Sequence, residues 1–184
     1  MNSLLRVLIR PQIKLIIPII SAFSLILPLA AYSYKLTLEK QNLEKNETLE
    51  RTYYEVTQII DGDSFKIKIN KKEVEVRLLG INTTEITPQI ECYSLEAKKY
   101  LTDHLQNQKV FLLEDQNNTD KDIYGRLLRY AYLPDNQQIN ALLLKNGYAY
   151  YYPYFDLAYS KYFRKLENDA KQKKKGIWGE CHSV

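Results

Sequence analysis

From Phe65 to Leu78 the chain alternates with a period of two. Phe65, Ile67 and Ile69 are interleaved with Lys66, Lys68 and Asn70, and Val74, Val76 and Leu78 with Glu73, Glu75 and Arg77. That period places every second side chain on one face of a strand. The stretch therefore reads as two strands, each with one dry face, turned at Asn70-Lys71-Lys72. Tyr54, Val56, Ile59 and Ile60 form a strand before them, broken by the hairpin signal Asp61-Gly62.

Beyond Gly80 the period changes. Leu95, Tyr100, Leu101 and Leu105 recur near helical spacing and predict a helix from about Ser94 to Gln106, with Ser94 as its N-cap. Val110 to Leu113 and Leu127 to Leu133 give a fourth and a fifth strand, joined by a polar loop. Pro134-Asp135-Asn136 turns into a helix through Ile139, Leu142, Leu143 and Leu144, which Asn146-Gly147 stops. An aromatic stretch from Tyr148 to Phe155 leads to a last helix, about Leu157 to Lys174, ended by Gly176. Five short antiparallel strands, one helix after the third and two after the fifth predict an α+β fold. It is mainly β, a five-stranded OB-type barrel with three helices over residues 53–184.

Residues 1–34 are of another kind. Leu15 to Ala31 carries no charge and follows Arg6, Arg10 and Lys14, a pattern that directs a chain into a membrane with its N-terminus inside. Seventeen residues at about 1.5 Å each barely span a hydrocarbon core. Ala30, Ala31 and Ser33 also permit cleavage, so signal peptide and uncleaved anchor both stay open. Residues 35–52 are polar and read as a partly helical stalk. The expectation is a monomeric exported protein, secreted or membrane-anchored through residues 15–31, with its domain outside the cytoplasm.

The formal charge of +4 comes mostly from this leader; removing its three cations from the total of 26 leaves 23 basic residues against 22 acidic ones. A near-neutral domain attracts nucleic acid only through local patches, and the lysine-rich run from Lys161 to Lys175 reads as a solvated helix face. Cys92 and Cys181 are the only cysteines. In an oxidising compartment they predict a disulfide, worth about 4–5 kcal/mol at most by loop entropy. With His104 and His182 lying apart, these residues make no zinc site.

Chemistry concentrates in three short runs: Asp61-Gly62-Asp63-Ser64, Arg77-Leu78-Leu79-Gly80-Ile81-Asn82-Thr83-Thr84-Glu85 and Tyr124-Gly125-Arg126. Carboxylates hold hard cations and guanidinium groups grip phosphate, which is what cutting a phosphodiester requires. Each run has a plainer reading alone. Asp-Gly-Asp makes a turn, Glu85 is a surface carboxylate, Arg77 forms a cross-strand ion pair, and Arg126 is an exposed charge.

In this order and spacing, together with Gly176-Ile177-Trp178, the runs resemble the staphylococcal nuclease (thermonuclease) family over roughly Tyr53 to Trp178. The resemblance implies an OB barrel that uses calcium to hydrolyse DNA and RNA. It makes Asp63 the main Ca2+ ligand with Asp61 in support, and adds Asn82 and the Thr83 carbonyl. Glu85 would activate the attacking water, Arg77 and Arg126 would grip the scissile phosphate, and Tyr124 would reach a neighbouring one. The chain departs from the family at Asn82, commonly aspartate, and at Thr84, usually proline. Losing one ligand charge lowers calcium affinity, yet sites of about 10⁻⁴–10⁻³ M still fill outside a cell. Among the clustered tyrosines, Tyr152 and Tyr154 are expected near the substrate, because bases stack on aromatic rings for about 1–3 kcal/mol each. The alternative is an OB barrel that binds nucleic acid without efficient cleavage. Asn82 favours that reading, and the set of Arg77, Glu85 and Arg126 opposes it.

Overall fold

The computed structural model describes residues 29–41 and 51–181. The chain divides into two compact units, Met1–Arg51 and Thr52–Val184. In the first unit residues 29–41 form an exposed helix, α1. Most of the apolar run 15–31 and the stalk residues 42–50 lie outside the described residues. Among the described residues no helix is long and apolar enough to cross a membrane.

In the second unit the alternating segments become strands β1 (Tyr53–Ile59), β2 (Ser64–Ile69) and β3 (Lys72–Leu78). Phe65, Ile67, Val76 and Leu78 are buried, while Lys68 and Glu73 face solvent. The chain continues through β4 (Ile81–Asn82), α2 (Ser94–Leu105), β5 (Lys109–Leu113), β6 (Leu127–Tyr132), α3 (Ile139–Lys145), β7 (Tyr150–Tyr151), α4 (Ser160–Gln172) and α5 (Ile177–Glu180). Strands β1-β2-β3-β6-β5 close into the expected five-stranded barrel. The core joins Val56, Phe65, Ile67, Val76 and Val110 of the barrel to Leu101 and Leu105 of α2 and to Ile139 and Leu143 of α3.

Several details differ from the sequence reading. β3 and β6 run parallel, with Val76 opposite Leu127 and Leu78 opposite Arg129. An odd number of strands cannot alternate direction all the way round a closed ring, so one neighbouring pair has to be parallel. Ser94 is not the N-cap. That position belongs to Tyr93, in a left-handed conformation (φ 68°), and Ser94 is the first helical residue, its hydroxyl donating to the Glu91 carbonyl at 2.8 Å. The α4 helix starts at Ser160, because the Ser160 hydroxyl accepts the Leu157 N–H (3.1 Å) in a turn ahead of it. The short ribbon β4–β7, with Ile81 opposite Tyr151, and the one-turn α5 were not expected.

Two buried polar side chains fix the barrel's relation to what surrounds it. Asp115, buried after β5, accepts the Tyr130 hydroxyl (2.5 Å) and the Ala158 N–H (2.9 Å). Burial alone would raise its pKa, but these donors and the Asn117 N–H outweigh it and hold the carboxyl below its usual range. Asn140, fully buried on α3, donates to the carbonyls of Leu79 (2.9 Å) and Arg129 (3.4 Å) and accepts the Ala131 N–H (3.0 Å).

The C-terminal end is seated by backbone contact. Ile177 N–H donates to the Gly147 carbonyl (2.9 Å), and a Cβ on Gly147 (φ +74°) would lie 2.1 Å from the Lys175 carbonyl oxygen. Gly147→Ala therefore meets rigid backbone as well as unfavourable φ, and is expected to cost about 2–4 kcal/mol. Thermal unfolding followed by circular dichroism should show a Tm lower by about 5–15 °C. Cys92 and Cys181 are joined in a disulfide across 89 residues, linking the approach to α2 with the end of α5.

Candidate active site

The turn between β1 and β2 delivers the first carboxylates. Asp61 Oδ1 accepts the Asp63 N–H (3.0 Å), an Asx-type closure, and Ile60 N–H donates to the Ser64 carbonyl (3.0 Å). A Cβ on Gly62 would sit 2.8 Å from Ala97 Cβ and from the Thr83 side chain. Glycine at this point lets the turn press against α2 and brings Asp63 beneath the strand end at Thr83.

Asp63 is buried and crowded with donors. Its Oδ2 accepts the Thr83 N–H (2.8 Å), the Thr83 hydroxyl (3.1 Å) and Arg77 Nη2 (3.0 Å), and its Oδ1 accepts the Ser64 hydroxyl (3.2 Å). Burial first, then the charge of Asp61, pushes the Asp63 pKa up to about 6, against the opposing pull of Arg77 and Thr83. Arg77 also donates to the carbonyls of Leu78 (2.7 Å) and Ile81 (2.9 Å) and to Asn82 Oδ1 (2.7 Å). The strand parity of Arg77 thus leads to the Asp63 turn, while Glu73 meets Lys66 (3.6 Å) and Glu75 meets Arg126 (3.9 Å).

Arg126 comes from the loop ahead of β6. Asp122 Oδ1 accepts the N–H groups of Tyr124 (2.9 Å) and Arg126 (3.0 Å), and the Gly125 N–H (φ +85°) donates to the Asp122 carbonyl at 3.0 Å. Asp122 Oδ2 then takes Arg126 Nε at 2.6 Å, and the guanidinium lies 5.6 Å from the Tyr124 ring centre. Burial would raise Asp122, but the contacts with Arg126 outweigh it and hold the carboxyl low. Burial would likewise lower Arg126, but Asp122 reverses the shift and keeps the guanidinium charged.

These elements converge. Asp61, Asp63, Arg77, Asn82, Glu85, Tyr124, Arg126 and Tyr152 line one open cavity of about 700 Å³. Thr83 lies behind it, buried and bonded to Asp63. Tyr154 is 76% exposed and stands off the cavity wall, its ring 4.6 Å from that of Tyr152. Sequence reasoning missed Asp122, Lys121 and Phe155, which share the lining. Asp122 had a readable signal, since an aspartate three residues before a glycine marks a turn closed by its own side chain.

The cavity joins two guanidinium groups, those of Arg77 and Arg126, to a nearby set of oxygen donors. Among the described residues no group of three His, Cys, Asp or Glu side chains could hold a metal. The donors lining it are two carboxylates (Asp61, Asp63) and one amide (Asn82), with the Thr83 carbonyl behind them accepting Asn82 Nδ2 (3.2 Å). That all-oxygen set fits a hard divalent cation, and the buried, costly charge of Asp63 fits one as well.

Comparison with known proteins agrees with this geometry. The model of the staphylococcal nuclease homologue family matches residues 75–180. The chain is 34% identical over 132 residues to the thermonuclease of Staphylococcus hyicus, covering 68% of this chain and 75% of that protein. It is 35% identical over 131 residues to the thermonuclease of Staphylococcus intermedius, with 68% and 75% covered. It is 35% identical over 146 residues to the endonuclease YncB of Bacillus subtilis, with 76% and 64% covered. Closed barrel, cavity and matched span together show that the chain belongs to the staphylococcal nuclease family and carries a nuclease-type domain.

Proposed function

We propose that the chain is an exported or membrane-anchored, calcium-dependent nuclease that hydrolyses phosphodiester bonds of DNA, with RNA as a further candidate substrate. The observation that carries this reading is the convergence of Arg77, Arg126, Asp63 and Glu85 on one cavity. A module that only binds a polyanion gains nothing from a carboxylate at the phosphate site, because like charges repel there. A hydrolase needs one to take a proton from water.

Asp63, Asn82 and the Thr83 carbonyl would hold calcium, with Asp61 in support. When bound, the ion supplies Lewis-acid stabilisation of charge on a phosphate oxygen. Arg77 and Arg126 bind the non-bridging oxygens and orient the phosphate. Glu85 accepts a proton from the attacking water at its carboxylate. The water oxygen bonds to phosphorus, the bond to the 5′ oxygen breaks, that oxygen takes a proton from solvent to leave as a hydroxyl, and a 3′-phosphate end remains. Tyr124 reaches a neighbouring phosphate, and Tyr152 offers a ring face to a base. Residues 1–34 serve as signal peptide or anchor and residues 35–52 as a stalk, leaving the nuclease domain outside the cytoplasm.

The test is heat-denatured DNA, and separately RNA, incubated with the purified chain in calcium and then in chelator. Calcium-dependent degradation that Glu85→Gln abolishes is expected. No degradation, or full activity in Glu85→Gln, would overturn the reading, and saturable binding without turnover at millimolar calcium would favour a binding module. Restoring the ligand charge with Asn82→Asp is expected to lower half-saturating calcium about tenfold. An activity titration checks this, with calcium-dependent Tm as an independent readout.

A further inference from the structure

We infer that Glu91 and the Cys92–Cys181 disulfide form a latch that positions Glu85, so that full turnover requires the oxidised chain. The inference rests on the assignment of Glu85 to water activation. Glu85 is exposed, on a segment between β4 and α2 that is neither helix nor strand. A carboxylate that must hold a water against phosphorus cannot wander, since displacements near 1 Å cost about 10²-fold in rate. Regular secondary structure does not supply that restraint here.

A pair of hydrogen bonds does. Glu91 Oε2 accepts the Glu85 N–H at 2.8 Å, and the Glu85 carbonyl accepts the Glu91 N–H at 2.9 Å. The segment from 85 to 91 is thus closed on itself, and Glu85 is as fixed as Glu91 is. The Glu91 carbonyl in turn accepts both the N–H (3.2 Å) and the hydroxyl (2.8 Å) of buried Ser94. The next residue, Cys92, is exposed but covalently joined to Cys181. Cys181 N–H donates to the Ile177 carbonyl (3.2 Å), and buried Ile177 is seated on Gly147. The covalent route from the C-terminal platform to Glu85 therefore runs through one S–S bond, one residue and two hydrogen bonds, beside the packing of Tyr93 against Tyr148 and Gly176.

Reduction by a dithiol breaks the S–S bond. Two electrons and two protons pass to the sulfurs of Cys92 and Cys181, and the dithiol becomes a disulfide. Cys92 then loses its covalent tie to the C-terminal platform, and Glu91, still bonded to Glu85, is anchored only through Ser94 and the packing of Tyr93 against Tyr148 and Gly176. Arg77 and Arg126 are held by Asp63 and Asp122, outside this route, so phosphate binding persists while turnover falls. The chain is then a slow nuclease in a reducing compartment and a fast one in an oxidising one.

The test compares the full-length chain with the Cys92→Ser/Cys181→Ser double variant, Glu91→Ala and Glu91→Gln. The double variant and Glu91→Ala are expected to lose about 10- to 100-fold in kcat with KM within about twofold. Glu91→Gln keeps an acceptor oxygen and should recover most of the loss. Amide exchange should quicken over residues 84–93 in the double variant, with barrel amides unchanged. Unchanged exchange in that segment overturns the latch. Faster exchange with unchanged kcat also overturns it, and Glu85→Gln then locates the fault. An inactive Glu85→Gln means that only the latch falls, and an active one means that the assignment of Glu85 falls with it.

Discussion

Arg77→Ala is expected to lose about 3–5 kcal/mol of folding stability and all measurable cleavage. The Arg77 and Asp63 side chains are only 15% and 7% exposed, so the ion pair lies largely out of water. Removing the guanidinium leaves a buried carboxylate without its counter-charge. It also strips a donor from Asn82 Oδ1 and from the carbonyls of Leu78 and Ile81. Taking one partner from a buried pair is far more damaging than replacing both. The double variant Arg77→Ala/Asp63→Asn should therefore regain part of the stability, though none of the activity. A thermal or denaturant cycle over the four proteins measures the coupling. A single variant within about 1 kcal/mol of the parent would show that the pair contributes no such stability.

Arg126 is built from the same chemistry and is expected to behave differently. Arg126→Ala should lower kcat by about 10²–10³-fold, the typical loss on removing a preorganised charge-stabilising donor, with stability held within about 1 kcal/mol. Its guanidinium is 27% exposed, and without it Asp122 still accepts the N–H groups of Tyr124 and residue 126, so the turn survives. Arg126→Lys keeps the charge but cannot reproduce the Nε contact to Asp122 together with a forked grip on phosphate, and should recover little. Steady-state kinetics beside a melting curve separates the two arginines. Equal damage to stability by both would contradict the different burial of their sites.

The barrel strands were legible because burial on one face leaves a period of two wherever a strand exceeds about four residues. Phe65 to Ile69 and Val74 to Leu78 show this on either side of their turn. The β4–β7 ribbon contributes two residues from each side, too few for any period, and it appears only when distant segments meet. The parallel β3–β6 pair was equally hidden, since alternation records which face is dry and says nothing about a neighbour's direction. Among site residues, Asp61, Asp63, Arg77 and Asn82 to Glu85 lie in contiguous runs whose turn chemistry and charge stand out. Asp122 and Glu91 act by holding other residues, through bonds to backbone N–H groups that an ordinary surface carboxylate resembles in sequence. Tyr152 and Tyr154 were indistinguishable as members of one aromatic cluster, and the fold places only the first on the cavity wall.

The amide of Asn140 has a consequence for the shape of the cavity. Past Leu78 and Arg129 the parallel ladder ends, and the Asn140 side chain bridges the Leu79 carbonyl and the Ala131 N–H in place of another rung. The two strands can therefore splay at this point without stranding their peptide groups in a dry interior. Leu79 and Gly80, between β3 and β4, leave the barrel sheet, and with Leu78 and Ile81 on either side they form part of the cavity wall. A hydrophobic side chain of similar size would fill the volume but leave the gap unbridged. The mouth of the barrel is thus propped open by one carboxamide, on a helix that carries none of the residues assigned to the reaction.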